Sequence, residues 1–236
     1  MNAARLSIFF FLAMASTAWA QGQNMDATAD LTFFQLIQKG GPVMYPLGLC
    51  SLIALALGIE RAISLRRSKI IPHGFMAELE TAFSASPNNT SKAIIFCERS
   101  RTVVGRIFRA GLKSLPRGDA AVEKSIEDTG GREADRMKRS LRGLSVIASL
   151  APLLGLLGTV YGLISAFQET ASKHHDKTAD LAEGIYEALV STAAGLTIAI
   201  PVLMLYQWLN ARADGLVDEI DFLAVEFTDT HLRSQK

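Results

Sequence analysis

The chain has 236 residues, of which 49% are hydrophobic and 20% charged, and its net charge is +1. So small a net charge gives no basis for nucleic-acid binding through bulk electrostatics. Its two cysteines, Cys50 and Cys97, are far apart, which excludes a metal site built on paired thiols, and their surroundings do not suit a structural disulfide. The apolar residues lie in long runs without charge, which is typical of a membrane protein.

Residues 1–20 predict a secretory signal peptide that is removed. Arg5 supplies the positive start, Leu6–Met14 forms a short apolar segment, and Ala18-Trp19-Ala20 provides the small residues before a cleavage site. A retained first span is the alternative, but the apolar run reaches only about 15 residues where roughly 20 are needed. Cleavage would leave the mature N-terminus outside the cytoplasm.

The segment 21–42 is then periplasmic. Within it, the apolar spacing of residues 31–39 predicts a short helix lying at the membrane surface. Gly40-Gly41-Pro42 is expected to end that helix and turn the chain into the bilayer.

Three apolar runs predict transmembrane helices over 43–65, 144–167 and 188–209. The second and third runs carry no charge, and each exceeds the roughly 18 residues that indicate a span. Inside a bilayer such runs satisfy their backbone hydrogen bonds as helices. A buried helix of a large soluble protein is the alternative, which three such runs in one short chain disfavour. The predicted fold is an all-α membrane protein with three transmembrane helices and long cytoplasmic helical extensions.

The distribution of basic residues predicts the orientation of the spans. Residues 66–142 hold 16 of the 24 Lys and Arg residues, whereas 168–182 holds only Lys173 and Lys177. The positive-inside rule therefore places 66–143 in the cytoplasm and 168–187, a loop with the start of the third helix, in the periplasm. An exported N-terminus gives the same topology, with the C-terminus inside.

The cytoplasmic segment has helical periodicity and clear breaks. Pro72, the polar stretch 84–91 and Pro116-Arg117-Gly118 are expected to divide it into several helices. Asp119 is a candidate N-cap for the helix that leads to the second span. The apolar stripe of 210–236 predicts that the third span continues into the cytoplasm as a helix.

The second span carries a stripe of small or hydroxyl residues at spacings of three and four. A helix places all of them on one face, and the pair four residues apart at 158 and 162 allows close approach of another helix. Close packing without transport is the alternative reading of this stripe. Its members are Gly155, Gly158, Thr159, Gly162 and Ala166.

The third span begins with a carboxylate, Glu187, at its edge. A charge there is costly unless it faces water or a partner, which makes Glu187 a functional candidate; an acid solvated by headgroups is the alternative. Thr192, like Thr159, is a candidate for lining a polar path, although a lone membrane threonine often bonds its own backbone. Gly195 keeps the helix slim, and Pro201 is expected to kink it or free a carbonyl.

No Asp, Glu, His, Lys or Arg lies at the centre of any predicted span. A proton path through the bilayer usually needs such a group, so a second chain would have to supply it. The sequence contains no catalytic constellation or nucleotide-binding motif, and we expect neither an enzyme nor a bound cofactor. His174-His175 is a possible weak metal-ligand pair, but a solvated loop is the simpler interpretation.

Two span motifs resemble those of the MotA/TolQ/ExbB proton channel family. The stretch 151–162 (APLLGLLGTVYG) is similar to the family's second-span motif, and 187–201 (EALVSTAAGLTIAIP) to its third-span motif. The stretch 34–61 resembles the segment that leads into the first span. Three spans with a long cytoplasmic loop resemble ExbB and TolQ more than MotA, which has four. An exported extension with a signal peptide favours ExbB.

The resemblance implies a pentamer around two copies of an ExbD-like single-span protein, whose aspartate carries the proton. Proton flow would drive movement of that partner, and a TonB-like protein would pass the work to outer-membrane receptors. By matching positions, Thr159, Glu187 and Thr192 would line the ion pathway. The glycine- and threonine-bearing faces are expected to turn inward, toward that companion.

Three alternatives remain beside this function. The chain could serve the Tol-Pal envelope system as a TolQ-like subunit, or act as a passive membrane scaffold. A solute transporter is disfavoured, because the sequence has no inverted repeats and no pair of broken helices around a midplane site.

Overall fold

The computed structural model describes residues 40–84, 90–172 and 177–231, and these residues form helices and turns without a strand. The predicted all-α class is confirmed. The predicted signal peptide, the predicted interfacial helix at 31–39 and the His174-His175 pair lie outside the described residues.

The described residues contain eight α-helices and one 3-10 turn. In chain order they are α1 (Met44–Ser64), α2 (Arg67–Ile70), α3 (Phe75–Ser84), α4 (Thr90–Ser100), α5 (Val103–Ser114), the 3-10 turn Leu115–Arg117, α6 (Asp119–Ser140), α7 (Arg142–Ser172) and α8 (Lys177–His231).

Three stretches are long and apolar enough to cross a membrane. They lie in Met44–Ser64, within Asp119–Ala171 and within Leu181–Thr230. Large apolar side chains such as Leu52 and Leu153 stand exposed on the surfaces of these helices. An apolar surface of this extent requires lipid or another protein to cover it.

Helix α8 is far longer than a membrane is thick. Its 55 residues give a length of about 80 Å at 1.5 Å per residue, against roughly 30 Å for a hydrocarbon core. The helix continues past residue 209 to His231, as the apolar stripe of the C-terminal segment predicts. Its second half contacts α6 and, through Phe227, reaches Phe83 of α3 and Phe108 of α5, and it carries part of the core common to α3–α6.

Aromatic side chains fill the centre of that core. Phe108 of α5 meets Phe227 of α8 edge to face, with ring centroids 5.3 Å apart, and Phe75 of α3 lies 6.0 Å from Phe108. Leu79 and Leu112, at most 1% exposed, close the cluster. The helices outside the spans therefore form a packed domain built on α8.

Polar contacts also fix α8 to the first span and the helix that follows it. Arg212 donates its Nε–H to the carbonyl oxygen of Leu65 at 2.9 Å, at the end of α1. Arg67 of α2 donates its Nε–H to both carboxylate oxygens of Glu219, at 2.9 and 3.0 Å. The pKa of Glu219 is lowered because its charged form accepts these hydrogen bonds.

The start of α6 differs from the sequence prediction. Asp119 is the first residue of the helix rather than its N-cap, and Gly118 takes the cap position without a side-chain hydrogen bond. Gly118 has a φ of 94°, a conformation that favours glycine and that reverses the chain after the 3-10 turn. Gly130 and Gly131 lie inside α6 without ending it, so the low helix propensity of these two glycines does not break the helix.

Candidate functional site

Helices α7 and α8 share the most extensive helix–helix contact in the described part of the chain. Pairs of small residues meet along it in reverse order: Gly195 with Ala151, Ala188 with Gly162, and Gly184 with Ala166. The order shows that the second and third spans pack antiparallel. We call this contact between the two spans the seam.

The two helix backbones lie so close at the seam that its glycines have no room for a side chain. A Cβ added at Gly155 would lie 3.1 Å from the Cα of Thr192, and one at Gly195 would lie 2.7 Å from the carbonyl oxygen of Ala151. At Gly158 it would lie 2.6 Å from the Cβ of Ser191, and at Gly162 it would lie 3.0 Å from that of Ala188. The small face of each span is thus directed at the other span of the same chain.

Two hydroxyl groups cross the seam at one carbonyl. Thr192 donates to the carbonyl oxygen of Gly155 at 3.1 Å, and Ser191 approaches the same oxygen at 3.3 Å while donating to Ala188 at 2.8 Å. Ser191 is 1% exposed and Thr192 is half-buried. These hydroxyls place polar groups inside an otherwise apolar interface without introducing a charge.

Thr159 is placed differently from Thr192. Its hydroxyl donates to the carbonyl oxygen of Leu156 at 2.6 Å, within its own helix. The residue is half-buried and follows Gly158, which contacts Ser191 across the seam. Thr159 therefore borders the seam, and its oxygen keeps lone pairs with which to accept a further hydrogen bond.

Glu187 lies one turn of α8 before Ser191 and is half-buried. Its side chain borders a cleft of about 320 Å³ between the start of α1 and the seam. The other residues lining the cleft are Gly40, Pro42, Val43, Pro46, Leu154, Leu157, Gly158, Tyr161, Gly162 and Ser165. A single carboxylate thus faces a mostly apolar cleft at the edge of the spans.

Three residues in or beside this cleft are not identified as site residues from the sequence. Tyr161 and Ser165 line the cleft, but they lie outside the stripe of small residues. Gly41, read only as part of a turn, approaches the Glu187 carboxylate directly. Turn chemistry identifies such a glycine, while its contact with a residue 146 positions away depends on tertiary structure.

Pro201 lies within α8, and its ring is exposed. The helix is continuous across it. Proline has no N–H to give to the carbonyl of Thr197 one turn earlier. The hydroxyl of Thr197 bonds the carbonyl of Ala193 at 2.8 Å.

Comparison with known proteins points to one family. Residues 99–221 match the MotA/TolQ/ExbB proton channel family. A putative biopolymer transport protein ExbB-like 1 from Synechocystis is 36% identical over 184 residues, 76% of this chain and 71% of that protein. The Tol-Pal system protein TolQ of Pseudomonas aeruginosa is 35% identical over 135 residues, 52% of this chain and 58% of that protein. The C. jejuni MotAB structure aligns with a TM-score of 0.48 at 17% identity, over 95% of this chain and 87% of that chain.

Proposed function

The chain belongs to the MotA/TolQ/ExbB proton channel family, and from that membership we propose that it couples the proton motive force to TonB-dependent transport across the outer membrane. In this proposal it is an inner-membrane subunit that works with an ExbD-like single-span protein. One charge crossing 100 mV supplies about 2.3 kcal/mol, which is the energy such a subunit would convert into movement.

The seam is the observation that supports this proposal. It brings the hydroxyls of Ser191 and Thr192 to one carbonyl between two spans, and Glu187 lies one turn away at the rim. The runs 144–167 and 188–209 contain no Asp, Glu, His, Lys or Arg. Hydroxyls can border a proton path, whereas the group that binds and releases the proton would come from the partner's aspartate.

The proposed assembly follows from these separate roles of the chain and its partner. A ring of five copies would enclose two copies of the partner, with Thr159, Glu187 and Thr192 near the pathway. Because the glycine faces of α7 and α8 already pack against each other, we propose that the exposed sides of this helix pair, and not the glycines themselves, meet the partner.

The proposed topology has a periplasmic N-terminus and a cytoplasmic C-terminus. The basic residues of 66–143 support a cytoplasmic location for that segment. The second half of α8 would lie on the same side, because it shares one hydrophobic core with α3 to α6. Residues 168–187 would then face the periplasm together with the Glu187 cleft.

A TolQ-like role in the Tol-Pal system is the second candidate. It is favoured by the 35% identity to the TolQ of Pseudomonas aeruginosa. The two roles predict different losses on deletion of the chain. Loss of TonB-dependent uptake with an intact envelope supports the first role, and leakage of periplasmic proteins supports the second.

Replacement of the two threonines by valine tests channel function against a passive scaffold. Thr159→Val and Thr192→Val keep side-chain shape but remove the hydroxyl. A channel subunit should still assemble with its partner and lose most of its coupled uptake. Thr228→Val is the matched control, because that hydroxyl bonds the Val225 carbonyl of its own helix at 2.9 Å and lies outside the predicted spans. Uptake that stays normal in the Thr159 and Thr192 variants would support the scaffold instead.

A further inference from the structure

The turn that leads into α1 lies against the carboxylate of Glu187. Gly41 has a φ of +69°, and a Cβ added to it would overlap Oε1 of Glu187 and lie 3.1 Å from Cδ. Two independent conditions therefore favour glycine here, since the backbone is left-handed and the space beside the Cα is already filled.

The backbone of Glu187 is held in place by the seam, but its carboxylate is not. The adjacent residue, Ala188, is 3% exposed and packs on Gly162, which fixes α8 at this point. Among the described residues the carboxylate has no hydrogen-bond or ion-pair partner. Its position within the cleft is therefore set by the surfaces that enclose it, and Gly41 is one of these surfaces.

We propose that Gly41 is a positioning residue for Glu187. By lacking a side chain it leaves the space that the carboxylate occupies at the edge of the cleft, and any larger residue at 41 displaces the carboxylate. The link to ion flow rests on the proposed function, in which Glu187 borders the pathway. The contact itself does not depend on that function.

Carbodiimide modification of Glu187 reports the position of the carboxylate directly. The reagent is applied to the full chain in its complex with its partner, and the rate at Glu187 is followed by mass spectrometry of peptides. In Gly41→Ala we expect that rate to change by roughly threefold or more, since small displacements have large effects on reactivity. Gly74→Ala is the matched control, because Gly74 has a φ of +80° with no atom near its Cβ position. It reproduces the backbone strain without the contact.

Shortening the side chain of residue 187 should offset the effect of the methyl group added at residue 41. Glu187→Asp withdraws the charge by one methylene from Gly41. Adding Gly41→Ala to Glu187→Asp should therefore change the modification rate and the proton flux much less than it does in the native background. Equal effects of Gly41→Ala in both backgrounds would overturn the proposal, as would a Gly41→Ala variant that behaves like Gly74→Ala.

The outcomes separate this proposal from the proposed function. Native complex that passes no protons in liposomes, while carbodiimide modification remains sensitive to Gly41→Ala, overturns the function and supports the positioning role. Native complex that conducts, with flux and modification unaffected by Gly41→Ala, does the reverse. If Gly41→Ala does not accumulate, Glu187→Ala in the same chain should restore accumulation to the level of Gly74→Ala, because it removes the overlapping atoms and leaves only the backbone strain. Failure to restore it would contradict the proposal.

Discussion

Thr192 of α8 donates its hydroxyl to the carbonyl oxygen of Gly155 of α7 at 3.1 Å, and the neighbouring Ser191 reaches the same oxygen at 3.3 Å. The contact is possible because Gly155 has no side chain, so the two backbones approach closely. Hydrogen bonds between membrane helices contribute about 0.6 kcal/mol on average. The hydroxyl of Thr192, which we propose to lie near the ion pathway, therefore also helps to hold the two spans together.

Replacing Thr192 by valine should destabilise the helix pair modestly. The change removes one of the two hydroxyls at Gly155, and we expect a loss of about 0.5–1 kcal/mol. Thr159→Val should leave stability nearly unchanged, because that hydroxyl bonds only Leu156 of its own helix. Unfolding of the detergent-solubilised chain by a denaturing detergent measures the difference. Equal losses in the two variants would contradict the distinction between a cross-seam and an intrahelical hydrogen bond.

Two glycines of α8 should respond to alanine with opposite signs. A Cβ at Gly195 would meet backbone atoms of the second span at 2.7 and 3.0 Å, and backbone can move only by separating the helices. We expect Gly195→Ala to cost about 1–3 kcal/mol. At Gly215 a Cβ would meet nothing within 4 Å, so Gly215→Ala should stabilise α8 by about 1 kcal/mol or less. Thermal unfolding followed by circular dichroism tests both; stabilisation by Gly195→Ala would refute the close seam.

The seam illustrates how far the sequence predicts the site. Spacing predicts that the glycines at 155, 158 and 162 share one face of a helix, and the structure has them on one face. Spacing does not say which helix that face meets, because any closely approaching helix fits a small face. The expectation that a companion chain packs there reflects this ambiguity. Only the antiparallel contact with Gly195 and Ala188 shows that the face opposite these glycines belongs to the third span of the same chain.

Contacts between distant segments account for what the sequence does not predict. Length and lack of charge predict the three spans, since the bilayer restricts the possible structures. The contact of Gly41 with Glu187 and the capping of the first span by Arg212 join residues more than 140 positions apart. Local patterns contain no information on such pairs. The N-cap expected at Asp119 failed for a local reason, because the left-handed Gly118 starts the helix one residue earlier.

The ion pair between Arg106 and Glu133 should make the domain outside the spans sensitive to acid. Arg106 donates to both carboxylate oxygens at 2.7 Å, and the Glu133 side chain is 12% exposed. Hydrogen bonding to Arg106 lowers the pKa of Glu133 below its ordinary value of 4.5, although burial opposes the shift. A lowered folded-state pKa stabilises the fold above pH 4.5, and this stabilisation is lost as the pH falls through the folded-state value.

Glu133→Gln tests this relationship. At pH 7 we expect a loss of about 1–2 kcal/mol, because the charge-assisted hydrogen bonds are replaced by neutral ones while Arg106 remains partly solvated. Below pH 4.5 the native chain should lose this advantage and approach the variant, whose amide does not titrate. Urea unfolding at a series of pH values measures both. A difference that stays constant down to pH 3 would show that the carboxylate does not act through its charge.

Removal of the Arg212 guanidinium should loosen the junction between the first and third spans. Arg212 donates to the Leu65 carbonyl at 2.9 Å and lies 5.5 Å from the ring centroid of Trp208. Arg212→Met keeps most of the aliphatic stem but removes the hydrogen bond and the cation–π contact, for an expected loss of about 1–2 kcal/mol. Arg212→Lys keeps the charge and should lose less. Protease cleavage near Leu65 measures this loosening. We expect faster cleavage in Arg212→Met than in Arg212→Lys.

Cys97 should be unreactive for as long as the helices outside the spans stay packed. The residue is 1% exposed, and burial raises the pKa of its thiol to about 12. At pH 8 only about one thiol in ten thousand is then ionised, and maleimides react with the thiolate. In a Cys50→Ser chain, Cys97 is the single remaining thiol, so its labelling reports the opening of this domain alone. We expect no labelling in native membranes over a period that gives complete labelling in urea. Labelling of the native chain at the rate of a free thiol would show that α4 separates readily from α5, and that the packed domain on α8 is not a rigid body.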